Sequence, residues 1–301
     1  MNFIGYDFYK GIDGFSSVSC GTNVSGISIT NGIYDDFYLT KDPDKYKSDD
    51  LTWNEDTLIH VTFDQSSSGG NLPYILDNIG SFRLKRREVG AFEWTGLYEY
   101  TITDINNINF TYIDKFAKGR NTEYEYCIVP VSKEGVEQSY NTIKVVSNFD
   151  GAVIADKDTM YHVLLEPSVT STTRNKDATV ISTMNNKYPF VFYGSNANYH
   201  SGSFSGVVIK YNGNDSWDFD KSVEYRDEMT EWLTNGEPKI LKMWDGRIWM
   251  INVSGNITSD SSDHPDKVTI SFDFVEIGDT SSTEDLYNNG FVNYTTKELG
   301  V

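Results

Sequence analysis

The sequence predicts a mainly β protein: a β-sandwich, then a second β-barrel or sandwich domain with one flanking α-helix. Three observations predict it. Aromatic residues make up 14% of the chain, with 20 Tyr and 17 Phe among many Thr, Val and Ile, residues that fit a pleated surface. Between about 50 and 148, six short alternating segments recur at the interval of a sandwich. Only WDFDKSVEYRDEMTEWL (217–233) reads as a convincing helix. A chain of 301 residues, 38% hydrophobic and 23% charged, is long enough for two or three domains and able to bury their cores.

Residues 1–48 read as N-terminal strands and a linker. GISITNGIYDDFYLT (26–40) holds an Asn31-Gly32 turn between two strand-like runs, and KDPDKYKSDD (41–50) is polar, with a proline. The expected sandwich occupies 49–148. Its strands are TLIHVTF (57–63), SFRLKRREV (81–89), WTGLYEYTI (94–102), NFTYIDKF (109–116), TEYEYCIVPV (122–131) and YNTIKVVS (140–147). The second domain is expected over 149–280. Residues 149–167 give one or two strands, SVTSTTRNKDAT (168–179) an exposed loop, and 187–212 two strands around a Gly/Asn/Ser turn. The helix follows. Val223, Arg226, Met229, Thr230 and Leu233 fall near one face, and Asn235-Gly236 supplies a stop. Residues 281–301 read as a polar tail or strap.

ILKMWDGRIWMIN (240–252) is the most informative stretch. Asp245-Gly246 between apolar runs signals a two-residue hairpin. That turn places Trp244 opposite Arg247, Met243 opposite Ile248 and Leu241 opposite Met250. One face then carries Ile240, Lys242, Trp244, Arg247, Trp249 and Ile251, and the other Leu241, Met243, Ile248 and Met250. Both faces are largely apolar. The helix covers one face, strands 187–210 and 267–277 extend the sheet, and residues 149–165 or a second copy of the chain cover the other. Wet apolar patches of this size mark interaction sites. A subunit interface is therefore expected at Leu241, Met243, Trp244, Ile248, Trp249 and Met250.

Charge and motifs narrow the function. The net charge of −19 argues against tight nucleic-acid binding, which needs Lys and Arg on phosphates. RLKRR (83–87) is the one basic cluster, with Arg83, Lys85 and Arg87 on one strand face and Leu84 and Arg86 on the other. A basic edge meeting an acidic surface on a neighbouring subunit fits the overall charge best. The four histidines, His60, His162, His200 and His264, show no metal-ligand spacing, and His162 and Glu166 lie about 13 Å apart on a strand. The acidic stretches 212–220 and 258–267 depart from calcium-loop patterns and read as turns or solvated loops. Cys20 and Cys127 are expected as free, buried thiols. No nucleophile-elbow, phosphate-loop or dinucleotide motif is present, so no enzyme, metal or cofactor is expected. The start lacks the basic and apolar regions of a signal peptide, and no apolar run is long enough to span a membrane.

Two resemblances join these pieces. GRNTEYEYCIVPVSKEG is similar to the sixth strand of a fibronectin type III domain, NFTYIDKFAKG to its fifth and SFRLKRREV to its third. The resemblance makes Tyr124 or Tyr126 the tyrosine whose hydroxyl ties back to an upstream backbone group. FDGAVIADKDTMY, KYPFVFYGSNANYHSGSFSGVVI, EWLTNGEPKILKMWDGRIWMINVSG and VTISFDFVEIGD resemble the C-terminal half of bacteriophage tail structural proteins, of the distal-tail or baseplate hub type. That resemblance implies a non-enzymatic virion component, assembled in the host cytoplasm as a homo-oligomeric ring, often of six, around a DNA channel with other tail or baseplate proteins. A carbohydrate-binding or host-adhesion module is the alternative, with Trp217, Trp244 or Trp249 exposed in a groove.

Overall fold

A computed structural model describes residues 3–4, 33–40, 52–53, 58–64, 79–103, 110–137, 140–176, 178–184, 186–193, 197–213, 216–264 and 266–295. The chain divides into two compact units. The first takes the described residues up to Phe149, Trp244–Gly246 and those from Ser281 onward; the second is Asp150–Met243 with Arg247–Thr280.

Among the described residues the first unit holds nine strands: β1 Phe3–Ile4, β2 Ile33–Thr40, β3 Thr52–Trp53, β4 Leu58–Asp64, β5 Ile79–Glu88, β6 Thr95–Thr101, β7 Phe110–Ile113, β8 Thr122–Ser132 and β9 Asn141–Ser147. They form a four-stranded sheet, β1-β2-β4-β7, and a five-stranded sheet, β3-β9-β8-β5-β6. All six strands expected between 57 and 147 are present. Tyr34–Thr40 pairs with Leu58–Asp64, so Ile33–Thr40 belongs to this sheet rather than to a separate N-terminal region. The expected turn at Asn31-Gly32 and the linker 41–50 lie outside the described residues.

Alternation sets the two faces of the larger sheet. Phe82, Leu84 and Arg86 lie opposite Pro130, Ile128 and Tyr126, and all three are buried. On the same face Tyr98 and Tyr100 meet the rings of Tyr112 and Phe110 from the other sheet, at 5.4 and 4.8 Å.

The opposite face carries Arg83, Lys85 and Arg87, and the C-terminal segment covers part of it. This segment is a strap. Ser282 caps the short helix Thr283–Asn288 by accepting the Asp285 N–H at 3.2 Å. Thr283 Oγ1 accepts the Gly96 N–H at 2.7 Å, and the Asn293 amide exchanges two 2.8 Å hydrogen bonds with the Glu99 backbone. Leu286, Phe291, Val292 and Tyr294 are buried, so the composition of 281–301 hides an apolar anchor. Gly96 admits it: a Cβ there would run into the Tyr294 hydroxyl and lie 2.9 Å from Thr283 Cγ2. Gly96→Val is expected to displace the strap at a cost of about 1–3 kcal/mol, seen as faster amide exchange over 283–294.

The second unit contains β10 Ala152–Ala155, β11 Met160–Val163, β12 Leu165–Lys176, β13 Thr179–Ile181, β14 Phe190–Phe192, β15 Asn198–Val207, β16 Lys210–Gly213, β17 Ser216–Asp218, helix α1 Ser222–Leu233, β18 Lys239–Met243, β19 Ile248–His264 and β20 Lys267–Gly278. Seven of these strands form one antiparallel sheet, β11-β10-β18-β19-β20-β15-β12. Its outermost strands, β11 and β12, are separated in sequence by Leu164 alone. Laid flat, seven strands would put these edges about 29 Å apart, yet two Cα steps span at most about 7.6 Å. The sheet therefore closes on itself as a barrel. Residues 149–165 supply two of its strands; Ala152–Ala155 pairs directly with Ile240–Met243 of the hairpin rather than facing it, and Met160–Val163 pairs on the far side of Ala152–Ala155.

Inside lie Ala152, Ile154, Tyr161, Val163, Phe204, Leu241, Met243, Trp249, Ile251, Ile270, Phe272 and Phe274, joined by Met229 and Leu233 from α1. Burying each of those two helix side chains is worth about 1.5–3 kcal/mol. The helix starts at Ser222, later than expected, because Ser216–Asp218 pairs with Lys210–Gly213. Val223 consequently faces solvent, while Tyr225 and Trp232 pack on Tyr161 at 5.2 and 4.9 Å. Two expected loops are strands. Leu165–Lys176 pairs with β15, and Thr258–Asp260 continues the ladder to β20.

Candidate functional site

The hairpin that motivated an interface closes one residue differently from the expected register. Leu241 pairs with Trp249, Lys242 with Ile248, and the Met243 N–H donates to the Arg247 carbonyl at 2.8 Å. The loop is thus Trp244-Asp245-Gly246, with Gly246 at φ 91°. A three-residue loop ending in a left-handed glycine is the next commonest hairpin closure after the two-residue turn. The slip exchanges faces. Leu241, Met243, Trp249 and Ile251 now share one face, the one directed into the barrel core.

Neither face is left wet. Ile240, Lys242 and Met250, on the other face, are each 0% exposed in the single chain, and Ile248 is half-buried. The reason for placing a subunit interface on Leu241, Met243, Ile248, Trp249 and Met250 is therefore gone: one chain folded alone keeps them dry. Trp244 differs, at 54% exposure. The tryptophans of the sugar-binding alternative divide likewise. Trp249 is buried, Trp244 is exposed, and Trp217 is half-buried with its ring 5.1 Å from that of Tyr211.

The basic strand is also answered within the chain. β5 lies between β8 and β6 and is not an edge. Arg83 reaches Glu99 at 3.2 Å and Glu137 at 3.1 Å, Lys85 reaches Glu137 at 2.6 Å, and Arg87 reaches Glu125 at 2.6 Å. Arg83 also lies over the Tyr294 ring and Arg87 over that of Trp94, at 5.0 and 4.3 Å. Burial alone would raise the Glu137 carboxyl, but Lys85 and Arg83 outweigh it and hold it below the usual carboxylate range. Cross-strand acids have taken up the charge expected to meet a neighbouring subunit.

Arg86, on the inner face, closes a buried network. Its Nη1 donates to Asp114 Oδ2 at 2.6 Å, Tyr126 donates its hydroxyl to the same oxygen at 2.7 Å, and the Phe116 N–H donates to Oδ1 at 2.8 Å. Burial would lower the Arg86 pKa; the adjacent Asp114 carboxylate reverses that and raises it. Of the two candidate tyrosines, Tyr124 makes the upstream backbone tie, accepting the Lys118 N–H at 2.9 Å. The second unit has its own buried cation. Lys239 Nζ donates to Asn235 Oδ1 at 2.9 Å and to the Glu237 carbonyl at 3.2 Å, and lies 4.5 Å from the Trp232 ring centroid.

Burial pushes the phenol of Tyr124 in the first unit and of Tyr225 in the second up to about 12. A raised phenol contributes stability that is complete below the unfolded value of about 10 and is lost as pH climbs through the folded value. Both units are expected to hold their unfolding midpoints up to pH about 10 and lose them steadily toward pH about 12. Denaturant melts in that window check this, and Tyr124→Phe should remove only its own share of the loss in the first unit, where burial also raises the phenols of Tyr112, Tyr126 and Tyr294.

His162 Nε2 meets the Asp150 carbonyl at 2.6 Å, and His200 pairs with Glu276 at 2.7 Å. The side chains of His60 and His264, Cys20 and part of 212–220 lie outside the described residues. Cys127 is a free, buried thiol whose pKa burial raises. Among the described residues no group of three or more His, Cys, Asp or Glu could hold a metal, and no helix is long and apolar enough to cross a membrane.

Sequence reasoning missed the exposed ribbon β13–β14. Every residue of both strands is exposed, among them Val180, Ile181, Phe190, Val191 and Phe192. Its signal is YPFVFY, an apolar run without a polar alternate, which the sequence alone assigns to the main sheet.

No family model and no curated protein matches the sequence. Among solved structures, the chain is similar to a chain of the virion of a native gene transfer agent particle, at 12% identity and TM-score 0.27, over 42% of this chain and 92% of that one. It is also similar to titin kinase and its flanking domains, at 9% identity and TM-score 0.22, over 83% of this chain and 38% of that one.

Proposed function

We propose that the chain is a non-enzymatic structural subunit of a phage virion, in its tail or baseplate, forming a homo-oligomeric ring around the DNA channel beside other tail proteins. One observation carries the reading. The phrases that resemble distal-tail and baseplate hub proteins supply all or part of every strand of the barrel except β12. They are thus the body of one folding unit and not scattered matches. The charge of −19 suits a wall past which nucleic acid moves without sticking.

The first unit reads as a fibronectin type III-like decoration. Supporting that are its strand orders, β2-β4-β7 on one sheet and β9-β8-β5-β6 on the other, and the backbone tie of Tyr124. Assembly takes place in the host cytoplasm, before lysis. Mass spectrometry of gradient-purified tailed particles tests the reading. The chain should co-purify at a fixed ratio to the other tail proteins; its absence from intact particles would refute the proposal.

A further inference from the structure

We infer that the β13–β14 ribbon is an arm that docks onto the acidic surface of a second copy of this chain. The inference rests on the reading of the chain as an assembling subunit, and names the surface that assembles. Thr179, Val180 and Ile181 pair with Phe192, Val191 and Phe190 in a two-stranded sheet separate from the barrel. The ribbon continues outward from the β12–β15 pair, beyond Lys176 and Asn198.

Paired residues share a face, so Ile181, Phe190 and Phe192 occupy one side and Val180 and Val191 the other. Exposure runs from 46% at Ile181 to 63% at Tyr193 and 72% at Tyr188, and Met184 at the tip is fully exposed. An isolated two-stranded hairpin is marginal in water even with a polar face; this one has two apolar faces.

Area and charge identify the occupant. With aromatic side chains at about 150–250 Å² each, the exposed apolar surface is on the order of 800 Å², the share one partner brings to a standard interface. The arm is also cationic. Arg174, Lys176 and Lys187 stand against Asp177 alone, in a chain of net charge −19. Lys176 Nζ lies 4.3 Å from the Tyr193 ring centroid and Lys187 Nζ 5.5 Å from that of Tyr188, which places positive charge along the apolar surface. The rest of the same chain carries the whole of the −19 excess, so a second copy offers an acidic complement to the arm. An arm on one patch meeting a different patch on the next copy is a heterologous contact, the kind that builds a ring where its rotation closes and a filament where it does not.

Two measurements on the full chain test this. In sedimentation velocity across a concentration series, the unaltered chain should self-associate, less so at high salt. Met184→Ser/Phe190→Ser/Phe192→Ser should keep the same circular dichroism and associate roughly 100-fold more weakly. In the second, a benzophenone amino acid in place of Phe190 should photo-cross-link to acidic segments of another copy. Equal association of the triple variant overturns the arm and leaves the subunit reading intact. A chain that stays monomeric at every concentration, or cross-links only to a different protein, overturns it too, and particle composition then judges the subunit reading separately.

Discussion

Asp114→Ala is expected to cost the first unit about 3–5 kcal/mol, as breaking a buried ion pair by removing one partner does. The carboxylate is 0% exposed and accepts from Arg86, Tyr126 and the Phe116 N–H. Without it the Arg86 guanidinium, itself 4% exposed, stays in the core over the face of the Tyr124 ring, 4.8 Å away, with its charge no longer paired to a carboxylate. Asp114→Asn keeps an acceptor and loses the charge, so its cost should be smaller. The pair Arg86→Met/Asp114→Leu removes both charges and should restore much of the loss. Urea melts of the full chain measure all three. A cost below about 1 kcal/mol for Asp114→Ala, the level of an exposed pair, would mean that water reaches the site.

Gly151→Ala is expected to destabilise the second unit by roughly 2–5 kcal/mol, from a strained backbone and an overpacked seam. Gly151 sits at φ 76°, and a Cβ would lie 2.5 Å from the Val163 carbonyl oxygen and 3.0 Å from the Leu164 Cα. Both are backbone atoms, so no rotamer change relieves the clash. Val163 and Leu164 join β11 to β12, the seam of the barrel. Gly206, whose Cβ would lie 2.6 Å from Val163 Cγ1, approaches the same seam from β15. A loss of under about 0.5 kcal/mol, the range of an ordinary surface change, would show that the seam is loose and the barrel open.

Much of this architecture was legible because burial imposes a period. The six strands expected between 57 and 147 alternate in sequence as sandwich strands do, and α1 carries Met229 and Leu233 at helical spacing. What escaped lacked that signal. Leu165–Lys176 and Thr258–Asp260 are Ser- and Thr-rich, and backbone pairing holds them as strands without a wide apolar face. The hairpin slipped by one residue because Asp-Gly serves a three-residue loop as well as a two-residue one. The charges of Arg83, Lys85 and Arg87 looked unmatched because Glu137 lies 54 residues from Arg83 and 52 from Lys85 in sequence. Reading both hairpin faces as wet placed an interface at Leu241 and Met250, which one chain buries; the wet apolar surface is at Phe190 and Phe192 instead.

The measurement that bears most directly on the virion reading is immunogold electron microscopy of purified tailed particles, with antibody raised against residues 150–280. The account predicts label at one fixed level of the tail on most particles, with ring-shaped density there on averaging. Unlabelled tails, with the chain recovered only in the particle-free supernatant, would contradict it.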